Sequence, residues 1–238
     1  MNLDYTIFKN FHKNKDIKFY TYSNCPISSR IKNNVFWEKH LHDIFEKFIN
    51  EKSIVIEGGC HIGTHTLKMA LICKHIYAFE PFPASFELLN NNVKVNNLEN
   101  VSIIKKGLSN SKNIVQFGWI PEKNPGASGL TENPMGLPGT NTSKSKPIDV
   151  QLTTIDDLKL EKLDFIKLDI EGYEQFAILG GLESIKKFKP VITLESWLNH
   201  KGQININETK KRYLNLIDLG YEFHHICCLL YTSPSPRD

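Results

Sequence analysis

The chain has 238 residues, 40% of them hydrophobic and 23% charged, with a formal net charge of +3. That length suits one large α/β domain and is short for two, and the ordinary charge content argues against wholesale disorder. So small a surplus is not the basic footprint of a nucleic-acid partner. No apolar run approaches the ~18 residues that cross a bilayer, and residues 1–18 lack the apolar h-region of a signal peptide. The five cysteines, Cys25, Cys60, Cys73, Cys227 and Cys228, are odd in number and irregularly spaced, with no CxxC. Neither a disulfide framework nor a zinc ribbon is expected, and a reducing, cytoplasmic location is the default.

Residues 1–32 are rich in aromatics and lysines without a clear period. From Asn34 the period becomes helical: Trp37, Leu41, Ile44, Phe45 and Phe48 share one face, which predicts a docking helix over about 34–49 capped by Asn33 or Asn34. A β-then-α series follows. Strands are predicted at Ser53–Glu57, His75–Phe79, Val101–Lys105, Ile114–Trp119, Leu163–Asp169 and Val191–Glu195. Helices are predicted at Thr64–Cys73, Ala84–Asn96, about Tyr173–Phe188 and Glu208–Leu219, the last closed by Gly220, with a final strand at Tyr221–Ile226. Apolar strands alternating with helices imply a parallel sheet covered on both faces. Right-handed crossovers bring the strand C-terminal ends to one edge, where ligands bind near the switch in strand order. Residues 120–147, with prolines at 121, 125, 134, 138 and 147, read either as a substrate-side flap or as an unstructured insertion.

The turn Glu57-Gly58-Gly59-Cys60-His61-Ile62-Gly63 joins the first apolar strand to a helix. Glycines admit close approach of a ligand, and a helix start offers free N–H groups. Glu80 ends the next strand, where a carboxylate can accept both hydroxyl protons of a ribose. The dinucleotide fingerprint G-x-G-x-x-G fails on this spacing. The turn instead resembles the acidic-x-Gly-x-x-x-Gly turn of S-adenosylmethionine-dependent methyltransferases. The structural alternative is a tight turn with no ligand.

Residues 163–174, LDFIKLDIEGYE, form the most distinctive segment. Asp169 and Glu171 stand just past a buried strand, and Glu195 ends the following one, so three carboxylates can converge at the ligand edge. Such a group suits a cation, a proton to be removed, or several sugar hydroxyls. Alternatively Asp169 and Glu171 cap the next helix, and Glu174 lies on a solvated helix face. Lys167, inside the strand, either pairs with a carboxylate or runs its stem beneath a helix.

On four pieces in order, EGGCHIG, YAFEPFPASFELLNNNVKVN, TTIDDL with LDFIKLDIEGYEQFAILGG, and VITLE, the chain resembles the FkbM family of methyltransferases over about residues 53–226. The resemblance implies an α/β class I methyltransferase fold: a Rossmann-like, mostly parallel sheet with helices on both faces. It also implies S-adenosylmethionine as donor and a hydroxyl of a sugar or other small molecule as acceptor. By matching position Glu57, Gly59, Cys60, His61 and Gly63 would cradle the methionine end. Glu80 would take the ribose, Phe82 would cover the adenine, and Lys106 and Gly107 would lie at its rim. Asp169 would face the methyl. The chain departs from the family pattern at Glu57, Cys60 and His61, where Asp, Ala and Asn are usual.

The organisation that follows is an extension with a docking helix over 1–52, a methyltransferase domain over 53–226, and a tail over 227–238. That tail reads as non-native linker and leaves the sheet without its final antiparallel strand. Asp169, Glu171 and Glu195 are the candidates to orient or deprotonate the acceptor. A divalent cation is compatible with them, but no metal ligand set is assigned: His61 and His65 lack a third partner in sequence, and His224, His225, Cys227 and Cys228 straddle the tail. Two other functions compete. One is a catalytically silent cofactor- or sugar-binding module. The other is a nicotinamide-dependent oxidoreductase, which would need the G-x-G-x-x-G turn that the sequence lacks.

Overall fold

The computed structural model describes residues 5–23, 25–119, 129–130, 148–195, 211, 213–224 and 226. The N-terminal segment, aperiodic in sequence, forms a hairpin of β1 (Tyr5–His12) and β2 (Lys15–Tyr20). Its two-residue turn puts Lys13 and Asn14 in the left-handed region, at φ 46° and 63°. That primed geometry matches strand twist, but Lys-Asn is a weak turn signature, so the sequence does not advertise it. The hairpin buries Phe8, Phe11, Ile17 and Phe19. A short helix, α1 (Pro26–Lys32), follows, and α2 (Lys39–Phe48) starts later than the expected 34–49. Asn33 ends α1 rather than capping α2, and Asn34 turns left-handed at φ 59°.

The central sheet holds five parallel strands in the order β11-β10-β3-β4-β5. They are β3 (Ile54–Gly58), β4 (His75–Phe79), β5 (Val101–Ile104), β10 (Phe165–Leu168) and β11 (Val191–Leu194). Strand alternation divides the core. Val55, Ile76 and Phe165 point to the face of α2 and of α3 (Thr64–Ala70). Ile56, Phe79 and Ile166 point to the face of α5 (Glu174–Leu179), α6 (Leu182–Phe188) and α7 (Leu214–Asp218). The order switches between β3 and β10: from β3 the chain winds outward through β4 to β5, then returns to β10 on the other side. This is the class I methyltransferase arrangement.

Helix α4 (Pro83–Val95) fastens the hairpin to the domain through two asparagines. Asn92 accepts from Tyr20 N–H at 2.5 Å and donates to Tyr20 O at 3.0 Å and Ile62 O at 2.7 Å. Asn96 grips Lys18 in the same way, accepting from its N–H at 2.9 Å and donating to its carbonyl at 2.7 Å. Two strand residues rise about 6.7 Å and four helical residues about 6 Å, so side chains one helical turn apart match alternate groups of a strand edge.

Three further elements differ from expectation. Ile114–Trp119 is a strand, β7, but it belongs to a second sheet of order β6-β9-β7-β8. Its other members, β6 (Gly107–Leu108), β8 (Gly129–Leu130) and β9 (Ile148–Thr153), carry no strong sequence signal. The helix expected over 173–188 breaks into α5 and α6 at Gly180-Gly181. There the chain passes so close to Ser109 that a Cβ on Gly180 would lie 2.0 Å from the Ser109 carbonyl oxygen. Finally, Tyr221–His224 and Ile226 are not strand. Gly220, at φ 83°, does end the preceding helix. The described part of the central sheet is wholly parallel. Most of 120–147 and all of 227–238 lie outside the described residues.

Asn92→Ala leaves three backbone groups, one buried and two half-buried, without these partners and should cost about 2–3 kcal/mol, against about 1 kcal/mol for Asn96→Ala at the more open end. Urea denaturation of the two variants checks this; an Asn92→Ala midpoint equal to wild type contradicts the clamp.

Candidate active site

Three segments meet where the strand order switches: the turn after β3, Glu80 after β4, and Asp169 after β10. Gly59, at φ 79°, packs against the chain after β10 so closely that an added Cβ would lie 1.7 Å from the Asp169 carbonyl oxygen. Gly63 precedes α3. Between them His61 is itself left-handed, at φ 50°, a conformation that histidine tolerates better than most residues.

Glu80 holds that turn. Its carboxylate, 6% exposed, accepts from His61 N–H at 2.7 Å and from Phe82 N–H at 2.9 Å. Burial pushes Glu80 up to about 7, the two amide bonds pull it down, and the charges of Glu57 and Asp169 add to the rise. Each carboxylate oxygen has a further lone pair for a ligand hydroxyl.

Glu57 and Lys167 are direct neighbours in the parallel register of β3 and β10, on the face of α3. Glu57 is fully buried and accepts from Thr66 Oγ1 at 2.5 Å. Lys167 Nζ lies 3.5 Å from Glu57 Oε1 and 3.4 Å from Asp169 Oδ2. Lys167 therefore pairs with carboxylates rather than running out to solvent. Its burial alone would lower its pKa, but Asp169, Glu57 and Glu38 outweigh that and raise it. Cys60 is buried with its thiol donating to Glu57 O at 3.4 Å, and burial pushes the thiol well up.

Asp169, Glu171 and Glu195 do come together. Asp169 shares a side-chain hydrogen bond with Glu195. Burial presses Asp169 upward, but Lys167 and the Glu195 hydrogen bond hold it below the usual carboxylate range. Glu195 is an exposed residue, and partial desolvation with the charges of Asp169 and Glu171 raises it. The two carboxyl groups are thus pushed in opposite directions and titrate as a pair. Glu171 is pushed up to about 8 by burial, with Asp169 and Glu174 adding to it. Neither Asp169 nor Glu171 caps α5, whose N-cap residue is Tyr173. Glu174 is not on a solvated face: it is 3% exposed, and its Oε1 accepts from Ile170 N–H at 2.8 Å, holding the turn between β10 and α5.

The remaining candidates sit further out. Phe82 is buried against Val150 and Leu152 of the second sheet. Lys106 is half-buried, and Gly107 lies in β6, where a Cβ would meet Leu152. His61 and His65 diverge: His61 stacks on Tyr22, and His65 Nε2 lies 3.0 Å from Glu38 Oε2. His224 is exposed, and His225, Cys227 and Cys228 lie outside the described residues. Sequence reading missed Tyr22, Glu38 and Thr66. Thr66, nine residues beyond Glu57, could have been found from helical geometry; nothing local marks the other two.

Unpartnered atoms concentrate at this turn. Among the described residues, six buried side-chain polar atoms lack a hydrogen-bond partner, and four of them lie between residues 57 and 65: Glu57 Oε1, both ring nitrogens of His61, and His65 Nδ1. Native interiors rarely leave such groups unsatisfied. A Rossmann-like sheet whose switch point carries a glycine turn, a carboxylate fixed to that turn and a rim of acids defines a nucleoside-cofactor enzyme.

The family model "Methyltransferase FkbM domain" matches residues 57–228. The chain belongs to this family and is an S-adenosylmethionine-dependent methyltransferase. It is 25% identical over 186 residues to "Methyltransferase sdnD" of Sordaria araneosa, covering 66% of this chain and 71% of that protein. It is 28% identical over 149 residues to the "23S rRNA (uracil(1939)-C(5))-methyltransferase RlmD" of Vesicomyosocius okutanii, covering 59% of this chain but only 34% of that protein. Among solved structures, the methyltransferase FkbM of Methylobacillus flagellatus KT aligns at a TM-score of 0.47 and 14% identity, over 74% of this chain and 43% of that one. No helix among the described residues is long and apolar enough to cross a membrane.

The raised acids make stability depend on pH. Glu80 and Glu171 start from an ordinary value of 4.5 and reach about 7 and 8 in the folded chain. Through that window the folded state holds more protons than the unfolded, so stability falls as pH rises. His61 and His42, driven down to about 4 and 2 chiefly by burial, oppose this only below their ordinary 6.5. The cofactor-free protein should therefore lose stability between about pH 6.5 and 8. Denaturant midpoints across that range should fall for wild type and fall less for Glu80→Gln; a rising midpoint contradicts the assignment.

Proposed function

We propose that this methyltransferase transfers a methyl group to a hydroxyl of a sugar or another small hydroxylated molecule, with S-adenosylmethionine lying across the switch point. The observation that supports this most directly is the set of buried His61 and His65 ring nitrogens that lack hydrogen-bond partners, next to a Glu80 carboxylate with lone pairs to spare. These residues fit the cofactor. Glu57, Gly59, Cys60, His61 and Gly63 would hold its amino-acid end, and Glu80 its ribose. Phe82, Lys106 and Gly107 would flank its base.

When bound, the cofactor supplies a methyl group on a cationic sulfonium. What remains for the protein is to align an acceptor oxygen and remove its proton. Lys167 keeps Asp169 ionised, which leaves Asp169 able to accept a hydrogen bond or a proton from the acceptor hydroxyl. Glu195 and Glu171, both raised, can donate hydrogen bonds to neighbouring oxygens of a polyol.

S-adenosylhomocysteine should bind the wild type in calorimetry, and Glu80→Ala should weaken that binding by at least about tenfold through loss of the hydrogen bonds to a buried charged group. Asp169→Asn should keep the affinity yet lower methyl transfer, assayed over a panel of sugars and small alcohols, by about 100-fold or more. Undiminished binding by Glu80→Ala counts against the site. Binding by the wild type without transfer to any acceptor would favour a silent binding module.

A further inference from the structure

The family match begins at residue 57, yet a side chain from well before it reaches the glycine turn. Tyr22, just past β2, stacks on the His61 ring with centroids 5.5 Å apart and planes inclined by 25°. Its hydroxyl is hydrogen-bonded to Ser85 Oγ in α4 at 3.0 Å. The strand before it is clamped by Asn92, which also bonds Ile62 O in the turn. The hairpin, α4 and the glycine turn therefore fix the Tyr22 ring from three sides.

His61 is 9% exposed, and among the described residues neither ring nitrogen has a hydrogen-bond partner. Burying an imidazole with both nitrogens idle is costly unless a ligand satisfies them. Burial drives its pKa down to about 4, with Asp169 opposing and Lys167 assisting. The ring is neutral near pH 7, so one nitrogen donates and the other accepts, and the ring itself adds no positive charge to the site.

We propose that Tyr22 is a positioning residue of the cofactor site: its stack holds the His61 ring so that the ring nitrogens bond the amino-acid end of the cofactor, an inference that rests on the function proposed above. The N-terminal hairpin is then part of the binding site. The second imidazole of the same wall is held alike, His65 by Glu38 of the same N-terminal segment.

The test is a double-mutant cycle on the full chain, with S-adenosylhomocysteine as probe in calorimetry and thermal melts as a check on folding. Tyr22→Ala and His61→Ala should each weaken binding by about tenfold, and the double variant should lose little more than the larger single loss. Tyr22→Phe keeps the stacking face and should bind within about twofold of wild type. If Tyr22→Ala does not fold, Tyr22→Leu, which keeps the bulk and loses the stack, takes its place. Wild-type-like binding by a folded Tyr22→Ala or Tyr22→Leu overturns the proposal, as do strictly additive losses. A wild type that binds no S-adenosylhomocysteine overturns the cofactor reading itself.

Discussion

One buried cation organises the site. Lys167 is 3% exposed, and its ammonium lies within 3.5 Å of the carboxylates of both Glu57 and Asp169. Burying three charged groups is expensive, and their mutual attraction offsets it only when geometry and hydrogen bonds are good. The parallel register supplies the juxtaposition. It sets Lys167 beside Glu57 on neighbouring strands, and Thr66 satisfies the second oxygen of Glu57. The consequence reaches the rim. Asp169 is held down there by the ammonium, while its hydrogen-bonded neighbour Glu195 is raised. Without the ammonium, the enclosed acids would be driven towards protonation together, and the site would lack a proton acceptor.

The walls of this site come from distant parts of the chain. Asn92 and Asn96 bond residues 72 and 78 positions away and so fix the hairpin edge to α4. The same Asn92 bonds the glycine turn through Ile62. Positions so far apart in sequence are held by a few side-chain bonds, which ties the order of the hairpin to that of the turn.

That division explains what the sequence discloses. The strand at His75–Phe79 was legible to the residue because five apolar-leaning residues lie between a lysine and a glutamate followed by proline. The Glu57 and Asp169 segments were legible because charges and glycines after apolar strands have few local explanations. The hairpin was not legible: its turn uses Lys13-Asn14, and lysines interrupt its alternation. Glu174 misled because an acid in a first helical turn usually faces water, and only the tertiary fold shows that it accepts from Ile170 and Gly172 instead. The helix break at Gly180 depends on Ser109, some seventy positions away. Tyr22 and Glu38 depend on docking and have no local signature.

The spread of acidity at the rim bears on what it can receive. Were Asp169, Glu171 and Glu195 all ionised, they would present acceptors alone. Instead Lys167 lowers the first, while burial and crowding raise the other two, Glu171 to about 8. Near neutral pH the rim therefore combines an anionic acceptor with carboxylic acids that can donate. A hydroxyl group is itself both donor and acceptor, and a sugar presents several in fixed relation. An amine or other cation would be served better by three ionised carboxylates than by this mixture. On the function proposed here, the same asymmetry would separate the roles: the low-pKa member would draw a proton from the acceptor hydroxyl, and its raised neighbours would hold the adjacent oxygens in place while it does so.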